Sequence, residues 1–310
     1  DMNSKNIEAF PMTGGQAGLI TNKNFGEATL LSTNEKEILD VISQGRVPVV
    51  TGFQGITENG YFTTLGRGGS DTTASILGVM LDAERIEIYT DVDGVMTADP
   101  RIVKSASVID IISYDEVFQL ADQGSKVIHP RAVEYAREGN IPIMIKNTLN
   151  DTIGTLINSV GDRKRRRLIT SITNHDDRIQ VTINLDDNKG NDRYNDVLEI
   201  LAANKISLDL INIFPRQQVF TISKAAKDIV KDIFGKLDLK YTLIDNCSTI
   251  ALVGAGMKGI PGVMAKIYKT LSESNIEVLQ TADSHMTIWC LIHTENLEKA
   301  INALHKAFKL

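Results

Sequence analysis

Thr64-Leu65-Gly66-Arg67-Gly68-Gly69-Ser70-Asp71 decides how the first half of this chain is read. Glycines at 66, 68 and 69 let backbone N–H groups come close to an anion. Residues 70–81 then show helical periodicity, with Ala74, Leu77, Gly78 and Leu81 on one side. A glycine loop that opens a helix suits an anion, because a helix N-terminus favours negative charge. Ser70 or Asp71 is expected to cap the helix. Arg67 offers a planar fork for a carboxylate or a phosphate. Just upstream, Glu58-Asn59-Gly60 before Thr63 and Thr64 reads as a tight hairpin turn. Taken alone, the loop is either an anion site or a structural turn.

Around this loop, β-rich runs alternate with helical stretches. Val47-Pro48-Val49-Val50-Thr51-Gly52-Phe53 reads as a strand stopped at glycine, and Ile86-Glu87-Ile88-Tyr89-Thr90 as the next. Residues 114–121 and 130–137 read as helices, Pro130 suiting a first helical turn. Residues 141–145 are strand-like again. Such alternation predicts a parallel or mixed sheet covered on both faces.

Two more stretches carry chemistry. Thr90-Asp91-Val92-Asp93-Gly94-Val95-Met96-Thr97-Ala98-Asp99-Pro100-Arg101 leaves the C-terminal end of a strand, where open α/β sheets bind ligands. Its acidic residues could hold Mg²⁺ and Arg101 could meet phosphate; a well-capped surface loop accounts for it equally. In Gly124-Ser125-Lys126-Val127-Ile128-His129-Pro130-Arg131, Lys126 precedes a helix and could neutralise phosphate. His129 reads as a structural hydrogen-bonding residue, since nothing nearby completes a nucleophile arrangement.

The second half repeats itself. Leu201, Ile206 and Leu208 fall on Leu271, Ile276 and Val278, an offset of 70 residues; Val181 and Ile183 fall on Ala251 and Val253, and Phe220 and Ile222 on Cys290 and Ile292. Each copy reads strand, helix, strand, strand, helix, with helices over residues 194–204 and 262–274. The last helix, 297–308, carries Leu297, Ala300, Ile301, Leu304 and Phe308 as one apolar stripe. Repetition of a small α+β unit predicts two copies packed side by side. Before them, Arg163-Lys164-Arg165-Arg166-Arg167 reads as a solvated linker.

The totals exclude some functions. A formal charge of −6 argues against nucleic-acid binding, which needs a basic face. No run of 18 apolar residues suggests a membrane span. Cys247 and Cys290 have no metal or redox spacing and point to a reducing, cytoplasmic setting.

Together, Val50-Thr51-Gly52-Phe53-Gln54-Gly55, the Thr64–Asp71 loop, the Thr90–Arg101 stretch and the run from Lys126 to Pro130 resemble, in order and spacing, the aspartokinase branch of the amino acid kinase family. The repeat resembles that family's paired ACT regulatory domains, including Val253-Gly254-Ala255-Gly256-Met257-Lys258-Gly259-Ile260-Pro261-Gly262-Val263; its second copy looks most like the Bacillus-type aspartokinase I group. The resemblance implies an α/β fold: an amino acid kinase sandwich of three layers, here a remnant, then two ferredoxin-like ACT domains. The expected boundaries are 1–158 for the kinase part, 159–168 for the linker, 169–245 for the first ACT domain and 246–310 for the second. The last strand and helix are expected to be able to pack back onto the ACT pair.

The resemblance also implies transfer of the ATP γ-phosphoryl to the β-carboxylate of L-aspartate, giving 4-phospho-L-aspartate, a step toward lysine and diaminopimelate. Arg67 would grip the substrate α-carboxylate, with Phe53, Gly68, Gly69 and Ser70 shaping the pocket. Asp71 would organise the catalytic groups. ATP, with its Mg²⁺, would meet Thr90, Asp91, Met96, Thr97, Ala98, Asp99, Pro100, Arg101, Lys126 and Val127; no metal is expected to be held by the protein alone. Relatives often carry tyrosine where Met96 stands. The ACT pair implies an effector amino acid, namely lysine, threonine or diaminopimelate. Its candidate contacts are Asp187, Asn188 and Gly190 in the first copy and Ile260, Pro261, Gly262, Val263, Asn275 and Gln280 in the second. A homo-oligomer through the ACT sheets is expected. The family's Lys-Phe-Gly-Gly loop does not occur, and the chain opens at Asp1. The expectation is therefore a chain cut upstream, with roughly the first hundred residues of the family pattern missing and little kinase activity of its own, since loss of a phosphoryl-stabilising cation costs on the order of 10³-fold. The alternative is a non-catalytic regulatory fragment that binds an amino acid.

Overall fold

A computed structural model describes residues 2–125, 127–162, 167–184, 192–257 and 260–310, the side chains of residues 3 and 192–196 excepted. The chain divides into two compact units. The first comprises residues 1–96 and 108–166, the second residues 97–107 and 167–310.

The first unit runs β1 (Ala9–Met12), β2 (Leu19–Thr21), β3 (Leu30–Thr33), α1 (Lys36–Ser43), β4 (Val47–Val50), β5 (Gln54–Thr57), β6 (Phe62–Thr64), α2 (Gly69–Met80), β7 (Ile86–Thr90), β8 (Ile111–Ser113), α3 (Tyr114–Asp122), α4 (Pro130–Glu138), β9 (Ile143–Asn147) and β10 (Thr155–Asn158). Its main sheet is mixed, in the order β7-β9-β10-β8; β7 pairs with β9 and β10 with β8 in parallel, while β9 and β10 are antiparallel. A second sheet, β3-β2-β5-β6, carries the hairpin foreseen at Asn59-Gly60, where Gly60 has φ +85° and Thr57 N–H donates to the Tyr61 carbonyl. β1 and β4 form a separate parallel pair.

Local chemistry explains the helix starts. Ser113 and Glu116 form a reciprocal capping box on α3. Pro130 occupies the first turn of α4, where its missing N–H costs nothing. Two expectations need correction at α2. Neither Ser70 nor Asp71 caps it: the N-cap is Gly68, so the helix begins one residue earlier. The buried face is also wider than the stripe read from sequence. Thr72, Thr73, Ser75, Ile76 and Gly78 are buried, whereas Ala74, Leu77 and Leu81 are only half-buried. The cause is packing on two sides, against α4 and against β7, with Gly78 letting Ile86 approach.

The second unit contains β11 (Ser171–Asn184), α5 (Asp192–Ala203), β12 (Asp209–Phe214), β13 (Gln217–Ser223), α6 (Lys227–Lys236), β14 (Tyr241–Val253), α7 (Val263–Glu273), β15 (Gln280–Asp283), β16 (Thr287–His293) and α8 (Leu297–Phe308). One six-stranded sheet orders them β12-β13-β11-β14-β16-β15. β11 and β14 each bend near the middle, at Asp177 (φ 57°) and Asn246 (φ 52°), with register shifts between His175 and Gln180. The bends hand each strand from one copy of the repeat to the other. Residues 178–184 of β11 pair with β13, while residues 171–175 pair with 249–253 of β14, whose other side meets β16. Each copy thus completes four strands by borrowing half a strand from its twin. The repeat positions match in burial: Leu201 and Leu271, Ile206 and Ile276, Phe220 and Cys290, and Ile222 and Ile292 are all buried. They fill two cores, one under α5 and α6 and one under α7 and α8.

Candidate active site and effector cleft

The loop between β6 and α2 is built by close packing. Gly68 adopts φ +70°, and a Cβ there would overlap the imidazole of His129. Phe53 is left-handed at φ 72°, an uncommon state for a bulky residue. Two hydrogen bonds hold it: Phe53 N–H donates to Thr73 Oγ1 at 3.0 Å, and Leu65 N–H donates to the Phe53 carbonyl at 3.0 Å. Its ring occupies the space that a side chain at Gly69 would need. Strain over-determined in this way concentrates at ligand sites.

Arg67 is exposed at this loop and has no hydrogen-bond or ion-pair partner among the described residues. Ser70 is exposed and Asp71 half-buried in the first turn of α2. Burial raises the Asp71 carboxyl above its ordinary 3.8, partly offset by the His129 backbone N–H and imidazole charge. His129 is held below its ordinary 6.5 by burial, then by Arg131; the Asp71 charge opposes this, and Arg67 adds to it. His129 caps α4, its Nδ1 accepting the Arg131 N–H at 3.3 Å, which bears out its structural reading. The Arg131 guanidinium donates to the carbonyls of Leu65 (2.7 Å) and Ala28 (3.2 Å). Arg131 was not singled out from sequence; a lone arginine in a helix start gives no sign of which carbonyls it will reach. An unpaired guanidinium, a carboxylate and a helix N-terminus together complement a small zwitterion.

The second stretch divides between the two units. Thr90 ends β7, its carbonyl accepting from the Thr148 N–H at 2.8 Å, and Asp91 beside it is exposed. Asp93 accepts from Asn150 Nδ2 at 2.8 Å and Asn147 Nδ2 at 2.7 Å, which hold its carboxyl below the usual range. Met96 bridges to Val108. Thr97, Ala98, Asp99, Pro100 and Arg101 belong to the second unit, where Ala98 is in the core under α8. Arg101 folds its guanidinium onto Asp99 at 2.6–3.1 Å. Val127 is half-buried ahead of α4; Lys126 lies outside the described residues.

The effector candidates separate likewise. Ile260, Pro261, Gly262 and Val263 line a cleft of about 490 Å³ at the start of α7, together with Asp283, Ser284 and His285. Asn275 does not line it; it is exposed and left-handed (φ 52°) after α7. Nor does Gln280, whose amide is buried between the copies. Gln280 Oε1 accepts from Gln180 Nε2 at 3.0 Å, and its Nε2 donates to Asn212 Oδ1 at 2.6 Å and to the Leu210 carbonyl. Asp187, Asn188 and Gly190 lie outside the described residues.

Comparison with known proteins places this architecture. Residues 1–147 match the model of the amino acid kinase family, and residues 242–306 match an ACT domain model. The class is therefore an amino acid kinase domain joined to an ACT domain. Aspartokinase 1 of Bacillus subtilis is 41% identical over 98% of this chain and 76% of the relative. The chain belongs to the aspartokinase family, whose members are phosphotransferases, and its likeness to them covers nearly its whole length. The crystal structure of Clostridium acetobutylicum aspartate kinase superposes with a TM-score of 0.83 at 28% identity, over 96% of this chain and 70% of that one. E. coli aspartokinase III has been solved with aspartate and ADP (TM-score 0.76, 25% identity, 100% and 72% coverage) and with lysine and aspartate (TM-score 0.80, 26%, 99% and 71%). Among the described residues no helix is long and apolar enough to cross a membrane.

Proposed function

We propose that the Gly66–Asp71 loop binds L-aspartate, the acceptor in phosphoryl transfer from ATP to the β-carboxylate. The observation that carries this is Arg67, exposed and without a hydrogen-bond or ion-pair partner among the described residues, at a glycine loop that opens a helix. Its fork takes the substrate α-carboxylate, and Asp71 faces the ammonium and orders the reacting groups. Phe53, Gly68, Gly69 and Ser70 shape the pocket. Transfer of this kind is mostly positioning and neutralisation of spread negative charge.

Thr90, Asp91 and Met96 of the first unit, with Lys126 and Val127, hold the nucleotide; the assignment of Thr97 to Arg101 rests on the motif. Exposed Asp91 at the end of a strand fits oxygen-rich magnesium coordination. Mg²⁺ would arrive with the nucleotide, share the phosphate oxygens and neutralise their charge. The cleft at α7 takes the effector, an amino acid of the lysine, threonine or diaminopimelate class. The setting is cytoplasmic, and the ACT sheets pair copies into a homo-oligomer.

Calorimetric titration with L-aspartate tests the substrate assignment. Arg67→Ala should weaken binding by about 10- to 100-fold, the worth of charge-assisted hydrogen bonds. Equal affinity in wild type and variant would remove Arg67 from the site. Titration of lysine, threonine and diaminopimelate against a Gly262→Val variant tests the cleft; undiminished heat would place the effector elsewhere.

A further inference from the structure

Arg131 is the second residue of α4, at the positive end of the helix dipole, and the first turn of α4 carries no acidic residue to offset it. A cation there runs against local helix chemistry, so its place is set by tertiary contacts. Those contacts are backbone carbonyls on two different segments: Nη1 donates to Leu65 at 2.7 Å and Nη2 to Ala28 at 3.2 Å. Both residues are fully buried, so neither carbonyl has water to turn to. The two segments already touch, since Ala28 N–H donates to the Thr64 carbonyl at 2.8 Å and Thr64 Oγ1 donates to the Phe25 carbonyl at 3.0 Å. The guanidinium clamps them where the chain leaves β6, two residues before Arg67. Gly66 follows at φ +76°, so close to Glu27 that its Cγ leaves no room for a Cβ. Past Arg67 the start of α4 holds the loop again: the His129 ring fills the space beside Gly68, and the His129 N–H meets the Asp71 carboxylate. Arg67 is thus flanked by fixed points, while its own guanidinium has no partner among the described residues. A fixed backbone under a free side chain is what a preorganised ligand contact requires.

We propose that Arg131 is a positioning residue for L-aspartate binding: its fork locks Leu65 to Ala28 and so sets where the Arg67 guanidinium meets the substrate carboxylate. The proposal rests on reading the Gly66–Asp71 loop as the L-aspartate site. Two carbonyls on separate segments need two donors in one rigid plane, which arginine supplies and lysine, a single point charge, does not. Without the clamp the loop samples several positions, and apparent affinity falls by the fraction of time it is competent.

The test is a double-mutant cycle on the full chain, read as L-aspartate affinity by calorimetry or, where binding is weak, by saturation-transfer NMR. Arg131→Met keeps an apolar stem and removes the fork. It should weaken L-aspartate binding about tenfold, the worth of one charge-assisted hydrogen bond, and Arg131→Lys, able to reach one carbonyl, should lie between it and wild type. In an Arg67→Ala background, Arg131→Met should cost nothing further, because it acts through Arg67. A loss of the same size in that background, or unchanged affinity in Arg131→Met, would overturn the proposal. Hydrogen-exchange mass spectrometry should show Arg131→Met speeding exchange over residues 64–69 by about tenfold, with β9 unchanged; exchange as in wild type would mean that the clamp is absent. If Arg67→Ala itself takes L-aspartate as wild type does, the substrate reading falls and the proposal with it, while exchange still decides whether Arg131 clamps the loop. Should Arg131→Met fail to fold, Arg131→Lys carries the same cycle.

Discussion

Gly68→Ala offers the sharpest test of how the Gly66–Asp71 loop is built. At φ +70° an alanine carries the left-handed penalty of about 1–2 kcal/mol. Its Cβ would also overlap Cβ, Cγ and Cδ2 of His129. Those atoms lie at the root of the side chain, and the ring is tied down as the cap of α4, so the overlap is relieved only by moving backbone. Overpacking of this kind costs about 1–3 kcal/mol. The expected sum is about 2–5 kcal/mol, a large share of the roughly 5–15 that holds a domain together. Gly60→Ala is the matched control: Gly60 has φ +85° with nothing within 4 Å of a new Cβ, so it carries the backbone penalty alone. Urea denaturation followed by circular dichroism should place Gly68→Ala below Gly60→Ala by about 1–3 kcal/mol. On a His129→Gly background the excess should vanish. Equal midpoints for the two alanine variants, or an excess that survives removal of the imidazole, would refute the packing account.

Other consequences are equally direct. Because burial raises Asp71 above 3.8, the folded protein keeps that proton to higher pH than the unfolded chain does, and the stability linked to it is lost as pH rises through the folded value. Asp71→Asn should therefore flatten the stability–pH profile just above pH 3.8, and an unaltered slope would contradict it. Asp93 should titrate below 3.8, and Asn150→Ala should move it upward in a carboxylate NMR titration; no movement would mean the Asn150 bond is not formed in solution. Cys247 and Cys290 are fully buried, and burial pushes the Cys290 thiol up to about 12. Neither should react with a thiol reagent at pH 8 until the second unit unfolds; rapid labelling of the native protein would argue against this core. Leu201→Ala and Leu271→Ala, at matching fully buried positions, should each cost about 2–5 kcal/mol in denaturant melts, and a negligible cost at either would break the repeat's equivalence.

Much of the fold could be read locally. Strand–helix alternation, the turn at Asn59-Gly60 and the stripe on α8 depend on neighbours along the chain, whose period reports which face is buried. The stripe on α2 could not be read, because α4 and β7 pack on different sides of that helix. In the Gly66–Asp71 loop, the residue types pointed to an anion site or a structural turn. The shape of that loop comes from Phe53, His129 and Arg131, brought in from distant parts of the chain.

The sequence by itself determined a glycine loop opening a helix, a twofold α+β repeat at a 70-residue offset and hence the family. Those properties are set by residue type and spacing. Only the tertiary structure decided that β11 and β14 are shared between the copies, that Gln280 serves the sheet rather than the cleft, and that residues 97–107 join the second unit. Each depends on which distant surface can bury a given side chain or satisfy a given N–H, and spacing along a chain does not encode that.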